Sequence, residues 1–146
     1  MITAQEPTTM GRFSVEVELA NHEDQISAKL GMIPPEQVRR VRVRGVVDSG
    51  ATRLVISAVI AQHLGLETTS LTSVRYADGR TAERAIVGDV HLTYGGRESV
   101  FSAIVEPGRD SALIGAIVLE ELDFLVDCVG QRLVPRDPKQ IVSEVE

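Results

Sequence analysis

Val46-Val47-Asp48-Ser49-Gly50-Ala51-Thr52 is the stretch from which the rest of the chain is read. Two β-branched residues form the end of a buried strand, and an acid, a hydroxyl and a glycine follow at once. A carboxylate at the end of an apolar strand is costly to bury without hydrogen bonds or a partner. The neighbouring hydroxyl and the chain reversal that glycine permits supply the means of compensation. Asp48 is therefore the candidate catalytic carboxylate.

Around this stretch lie short blocks of β-branched residues separated by turn residues. The chain has 146 residues, 43% of them hydrophobic and only 3% aromatic, with 12 glycines. That length supports one domain with a substantial core, and the composition favours many short strands over a helical bundle. The net charge of −6 argues against a general binder of nucleic acid or anionic membrane. No apolar run reaches the roughly 20 residues of a membrane helix. Residues 1–10 lack the basic start and apolar centre of a signal peptide. Cys128 has no second cysteine to pair with, which suits a reducing compartment. The expectation is a cytoplasmic protein.

Upstream, Phe13, Val15, Val17 and Leu19 alternate with Ser14, Glu16 and Glu18, a half-buried strand with an acidic outer face. Asn21 to Glu36 reads as a long connection broken at Pro34-Pro35. In the next strand, Val41 and Val43 take one face and Arg40, Arg42 and Arg44 the other. With Glu16 and Glu18 available across the sheet and no aromatics interleaved for stacking, the arginines read as a solvated, ion-paired face.

Downstream, Leu54 to Ile56 is a short strand. Ser57 caps a helix from Ala58 to Leu64 that Gly65 terminates. Leu66 to Tyr76 is extended, and Ala77-Asp78-Gly79-Arg80 marks a hairpin of the tight primed kind. Thr81 to Val87 returns, and Gly95-Gly96 joins Val90–Tyr94 to Glu98–Val105. Leu113-Ile114 runs into Gly115, followed by a helix from Ala116 to Leu122 and two strands about Gly130-Gln131. The sum is an all-β, barrel-like domain with one or two short helices. The order of apolar strand, glycine turn and helix occurs twice, at Val46–Leu64 and Leu113–Leu122, a weak internal two-fold. The domain spans 11–136, between a disordered lead-in at 1–10 and a flexible acidic tail at 137–146. Met1 and Met10 both stand open as the start.

These features together resemble the retropepsin-like aspartic peptidases, and most nearly their bacterial single-domain branch. The resemblance rests on Val46-Val47-Asp48-Ser49-Gly50-Ala51, on Leu113-Ile114-Gly115, and on the Tyr76–Thr81 hairpin where the family carries its flap. Ser49 stands where threonine is more usual, Ala116-Ile117 replaces the viral Arg-Asn, and Gly79 is the hairpin's one glycine. The resemblance implies a closed β-barrel of the acid-protease type and hydrolysis of peptide bonds by two carboxylates sharing one proton.

One Asp-Ser-Gly in so short a chain then implies a homodimer with the site on its two-fold axis. In that reading Asp48 serves as base and acid across the dimer, Ser49 locks the two turns together, and Gly50 brings its N–H to the carboxylate. Ala51, Ile114 and Gly115 support the turn from beneath. Tyr76, Asp78 and Gly79 cover a polypeptide substrate that binds extended. With Ala51 unable to donate to the acid, the working pH is expected nearer neutral than that of the acid pepsins. Neither cofactor nor metal is expected, since His22, His63 and His91 show no ligand spacing. Asp123 and Asp127 read as structural, and Cys128 as a small buried residue. The alternative is the same fold used as a peptide-binding or scaffold dimer with little turnover.

Overall fold

The alternating Phe13–Leu19 pattern becomes β1 (Arg12–Asn21), which pairs antiparallel with β2 (Arg40–Asp48) from Arg12↔Asp48 to Ala20↔Arg40. The computed structural model describes residues 12–141 and Val145. The lead-in at 1–10, the choice between Met1 and Met10, and most of the tail beyond Ile141 lie outside the described residues.

The arginine strand and the Val46-Val47 strand are one continuous element. On its outer face Arg42 reaches Glu16 at 3.4 Å and Arg44 donates to Ser14 Oγ, the solvated ion-paired face expected of alternating charge.

The remaining strands are β3 (Leu54–Ser57), β4 (Thr68–Arg75), β5 (Thr81–Tyr94), β6 (Arg97–Glu106) and β7 (Ala112–Ile114). Their lateral order is β1-β2-β7-β3-β6-β5, and β5 pairs back onto β1, closing a six-stranded barrel with β4 added outside β5. β7 is inserted between β2 and β3, parallel to the first and antiparallel to the second. Inside the barrel, Leu19, Val47, Leu54, Ile56, Val90 and Leu92 are fully buried, each contributing about 1.5–3 kcal/mol against exposure. Leu64 and Val118 reach the same core from the helices α2 (Ala58–Leu64) and α3 (Ala116–Leu122). The Ser57 Oγ accepts from Ile60 N–H, and Gly65, at φ +65, ends α2. β8 (Phe124–Asp127) and β9 (Arg132–Pro135) form a separate hairpin.

Four readings need correction. The supposed connection after β1 carries α1 (His22–Lys29), so the described residues hold three α-helices rather than one or two. None of its residues is buried, so it lacks the apolar stripe that would mark it. The strand after the hairpin does not stop at Val87: β5 runs through a bulge between Val87 and Val90, with Asp89 at φ +60. The hairpin turn itself is wider than a primed pair. Tyr76 N–H bonds Arg80 C=O, Gly79 alone takes φ +88, and the Asp78 carboxylate accepts from Arg80 N–H, a three-residue loop with glycine in the left-handed position. Cys128 is exposed, because it sits in the turn of the outlying hairpin and not in the barrel.

α1 is held by polar contacts in place of an apolar face. Asn21 Oδ1 caps it at Asp24 N–H. Asp24 in turn accepts from Arg39 N–H at 3.0 Å, Nε at 2.8 Å and Nη2 at 3.0 Å. Those side-chain bonds from Arg39 lower the Asp24 pKa, against the opposing effect of burial. A lowered carboxylate pKa stabilises the fold above the unfolded value near 4 and is lost as pH falls through the folded value. Asp24→Asn is expected to cost about 1 kcal/mol at pH 7, discounted for the half-exposed arginine. Urea denaturation at pH 7 and pH 3 checks this: the gap between wild type and variant should narrow at the lower pH.

Candidate active site

β2 ends at Asp48, and the chain turns there through Ser49-Gly50. Ala51 N–H closes the turn on Asp48 C=O at 3.0 Å. Gly50 N–H donates to Asp48 Oδ1 at 3.0 Å. A Cβ on Gly50 would stand 3.3 Å from that same oxygen, so the bare backbone keeps the carboxylate face open. Asp48 Oδ2 accepts from Arg12 Nη2 at 2.7 Å, and the Asp48 side chain is 14% exposed. The Ser49 hydroxyl is exposed and makes no hydrogen bond among the described residues.

The turn is held from below by the second copy of the strand–glycine–helix unit. β2 and β7 run parallel with Val46↔Leu113 and Val47↔Ile114, placing Gly115 under the Asp48 loop. From there Ala116 N–H donates to Ala51 C=O at 2.8 Å, and Ile117 N–H to Thr52 C=O at 2.9 Å. Ile114 is buried in the core. The two motifs therefore meet, as their order in the chain implied.

Beside the turn lies a cavity of about 540 Å³. Its wall includes Gly50, Ala51, Arg53, Val55, Thr72–Tyr76, Ile104, Glu106 and Arg109. A larger open groove of about 640 Å³ lies between β6 and α3, but none of the motif residues borders it.

Tyr76 lies at the base of the hairpin. Its hydroxyl donates to Glu106 Oε2 at 2.6 Å, and Arg84 Nε bonds Glu106 Oε1 at 2.9 Å. The bond to Glu106 raises the Tyr76 pKa. The ring lies beneath the guanidiniums of Arg80 and Arg84. Asp78 pairs with Arg80 at the exposed tip, and an added Cβ on Gly79 would meet nothing. Tyr76 thus borders the cavity, whereas Asp78 shapes the turn.

Sequence reasoning missed Arg12, Arg53, Glu106 and Arg109. Arg12 comes to Asp48 through the β1–β2 register, Arg53 precedes β3, and Glu106 and Arg109 flank the turn after β6, where Arg109 N–H bonds Glu106 C=O. No local pattern announces them.

His22 and His91 stack with ring centroids 6.1 Å apart. They bond Gln25 and, for His91, Glu98. Among the described residues no group of three metal-ligating side chains gathers.

The model of the aspartyl protease family matches residues 35–118, from before β2 to the first turn of α3. The chain belongs to the aspartyl protease family. No curated protein matches it. Among solved structures, an EIAV protease complexed with the inhibitor HBY-793 is similar at 15% identity and a TM-score of 0.52, over 84% of this chain and 92% of that one. A simian foamy virus (mac) protease in solution aligns at 13% identity and a TM-score of 0.47, over 73% and 91%. The EIAV likeness bears on fold, and this member of the family has the retropepsin-like barrel.

Among the described residues no helix is long and apolar enough to cross a membrane.

Proposed function

We propose that the protein is an aspartic endopeptidase acting as a homodimer in the cytoplasm, with Asp48 from each copy forming one water-activating pair. The observation that carries this reading is the Asp48 turn: a carboxylate fixed by Gly50 N–H, in a turn whose Gly50 and Ala51 line a cavity, in a chain with a single Asp-Ser-Gly. One carboxylate takes a proton from water as the oxygen attacks the peptide carbonyl. The other, protonated, donates to the carbonyl oxygen, and the proton gained from water then goes to the leaving amine. The attack needs one ionised and one protonated carboxyl group at the same moment, so the second copy is part of the site. The exposed Ser49 hydroxyl suits a contact across the axis. The polar edge of β4, bordering the cavity through Thr72–Arg75, suits a substrate added as a further strand. A lone cysteine suits the reducing cytoplasm.

One observation favours the scaffold alternative. Arg12 already occupies Asp48 Oδ2, and the approach of a second carboxylate requires that bridge to reorganise. The two readings separate on dilution. A homodimeric peptidase loses specific activity on a peptide library as protein concentration falls through the dimer dissociation constant, in step with the sedimentation coefficient. Cleavage that is constant per chain while the protein sediments as a monomer would sink the shared site.

A further inference from the structure

The chain is acidic overall at −6, yet the cavity beside Asp48 has the opposite sign. Arg53, Arg75 and Arg109 line it against a single lining acid, Glu106. Glu106 is already engaged by Arg84 and by the Tyr76 hydroxyl. Arg53 and Arg75 are exposed and make neither hydrogen bond nor ion pair among the described residues. Arg109 is fixed instead: Nε donates to Ser111 C=O and Nη2 to Ser111 Oγ, each at 3.0 Å. Burial, and then the charge of Arg12 nearby, lower its pKa, with Asp110 opposing.

The three guanidiniums come from the loop before β3, the end of β4 and the loop before β7. Arg39, Arg84 and Arg132, by contrast, are held by carboxylates within the fold. Arg53 and Arg75 line the cavity with guanidiniums that no carboxylate among the described residues engages, and Arg109, held by Ser111, adds a third positive charge. A guanidinium suits a carboxylate by geometry as well as charge.

We infer, resting on the peptidase reading, that the site selects polypeptide segments carrying Asp or Glu near the scissile bond, with Arg53, Arg75 and Arg109 as the specificity residues. The Asp48 pair repels an acid at the bond itself, so the selected acids lie a few residues away. The two-fold axis repeats the three arginines, and an acid on either side meets a set. A nucleic acid suits the cavity less well, because its one aromatic ring, Tyr76, is already covered by Arg80 and Arg84.

The test uses binding as well as turnover. On the full-length Asp48→Asn protein, a fluorescent peptide with flanking Glu should bind about 10-fold tighter at low salt than its Gln counterpart, with the gap narrowing as salt rises. Arg53→Gln and Arg75→Gln, both at exposed positions, should each shrink that preference about 3-fold or more. Arg109→Gln should do the same, while Arg42→Gln on the outer strand face should leave it intact. Equal or tighter binding of the Gln peptide overturns the inference. So does an equal loss with Arg42→Gln, or displacement by single-stranded RNA at lower concentration than by the Glu peptide. Acid-selective binding by a wild type that cleaves nothing overturns the peptidase reading and leaves the acid-binding cleft standing. Cleavage indifferent to flanking acids does the reverse.

Discussion

Asp48→Asn is expected to lower kcat/KM for peptide cleavage at least ~10³-fold, a loss of more than about 4 kcal/mol of transition-state stabilisation. The substitution is nearly isosteric, and its amide oxygen can still accept from Gly50 N–H, now at 3.0 Å from Oδ1. What it loses is the capacity to take and return a proton. The fold should barely notice. The Arg12 pair is half exposed on the arginine side, and such a bridge is worth about 1 kcal/mol or less. Thermal unfolding close to that of wild type beside absent cleavage would assign the loss to chemistry. Mixing adds a sharper readout. With equal amounts of the two chains exchanging freely, about a quarter of the dimers are fully wild type, so activity should fall below simple dilution. Equal cleavage by both proteins would sink the catalytic assignment.

Gly115→Ala is expected to have the largest effect on stability. A Cβ at that position would lie 2.5 Å from Arg53 O, 2.7 Å from Arg53 N and 2.7 Å from Thr52 C. These are backbone atoms, and no rotamer change moves them away. Relief must come from displacing the segment that follows the Asp48 turn, which would stretch the bonds from Ala116 and Ile117 N–H to Ala51 and Thr52 C=O. Overpacking of this kind costs about 1–3 kcal/mol, and in a chain this size each kcal/mol lowers Tm by roughly 2–4 °C. Under the proposed function activity should fall with it, because the same two bonds hold the Asp48 turn. Gly108→Ala is the control, since an added Cβ there meets nothing. Equal melting temperatures for the two variants would show that Gly115 is not the floor of the site.

The parts of this fold legible from residues are those whose cause is local. Ser57 capping, Gly65 reversing the chain and the apolar spacing between them delimit α2 without reference to anything distant. The Asp48 turn and its seat on Leu113-Ile114-Gly115 were legible because each motif follows an apolar strand and their order matches a known architecture. α1 escaped because its stabilisation is non-local: Asp24 depends on Arg39 across the loop, and Ile26 is 44% exposed. The bridge from Arg12 to Asp48 escaped for the same reason, being a product of register between β1 and β2. The expected burial of Cys128 failed because the rule that cysteine packs inside describes residues on core elements, and β8–β9 lies outside the barrel. The gathering of Arg53, Arg75 and Arg109 has no sequence signature, since closure of the sheet is what brings them together.

β4 is the one strand attached to the barrel through a single neighbour, β5. Its other edge offers backbone donors and acceptors, and beside its Thr and Ser side chains Leu71 is its one exposed large apolar residue. An edge of this kind discriminates by conformation before it discriminates by residue type. A folded client has already spent its main-chain hydrogen bonds on itself, whereas a linker, a nascent tail or a damaged domain has not. Under the proposed function, the lifetime of a target in the cell is then set by how often it exposes a length of extended chain.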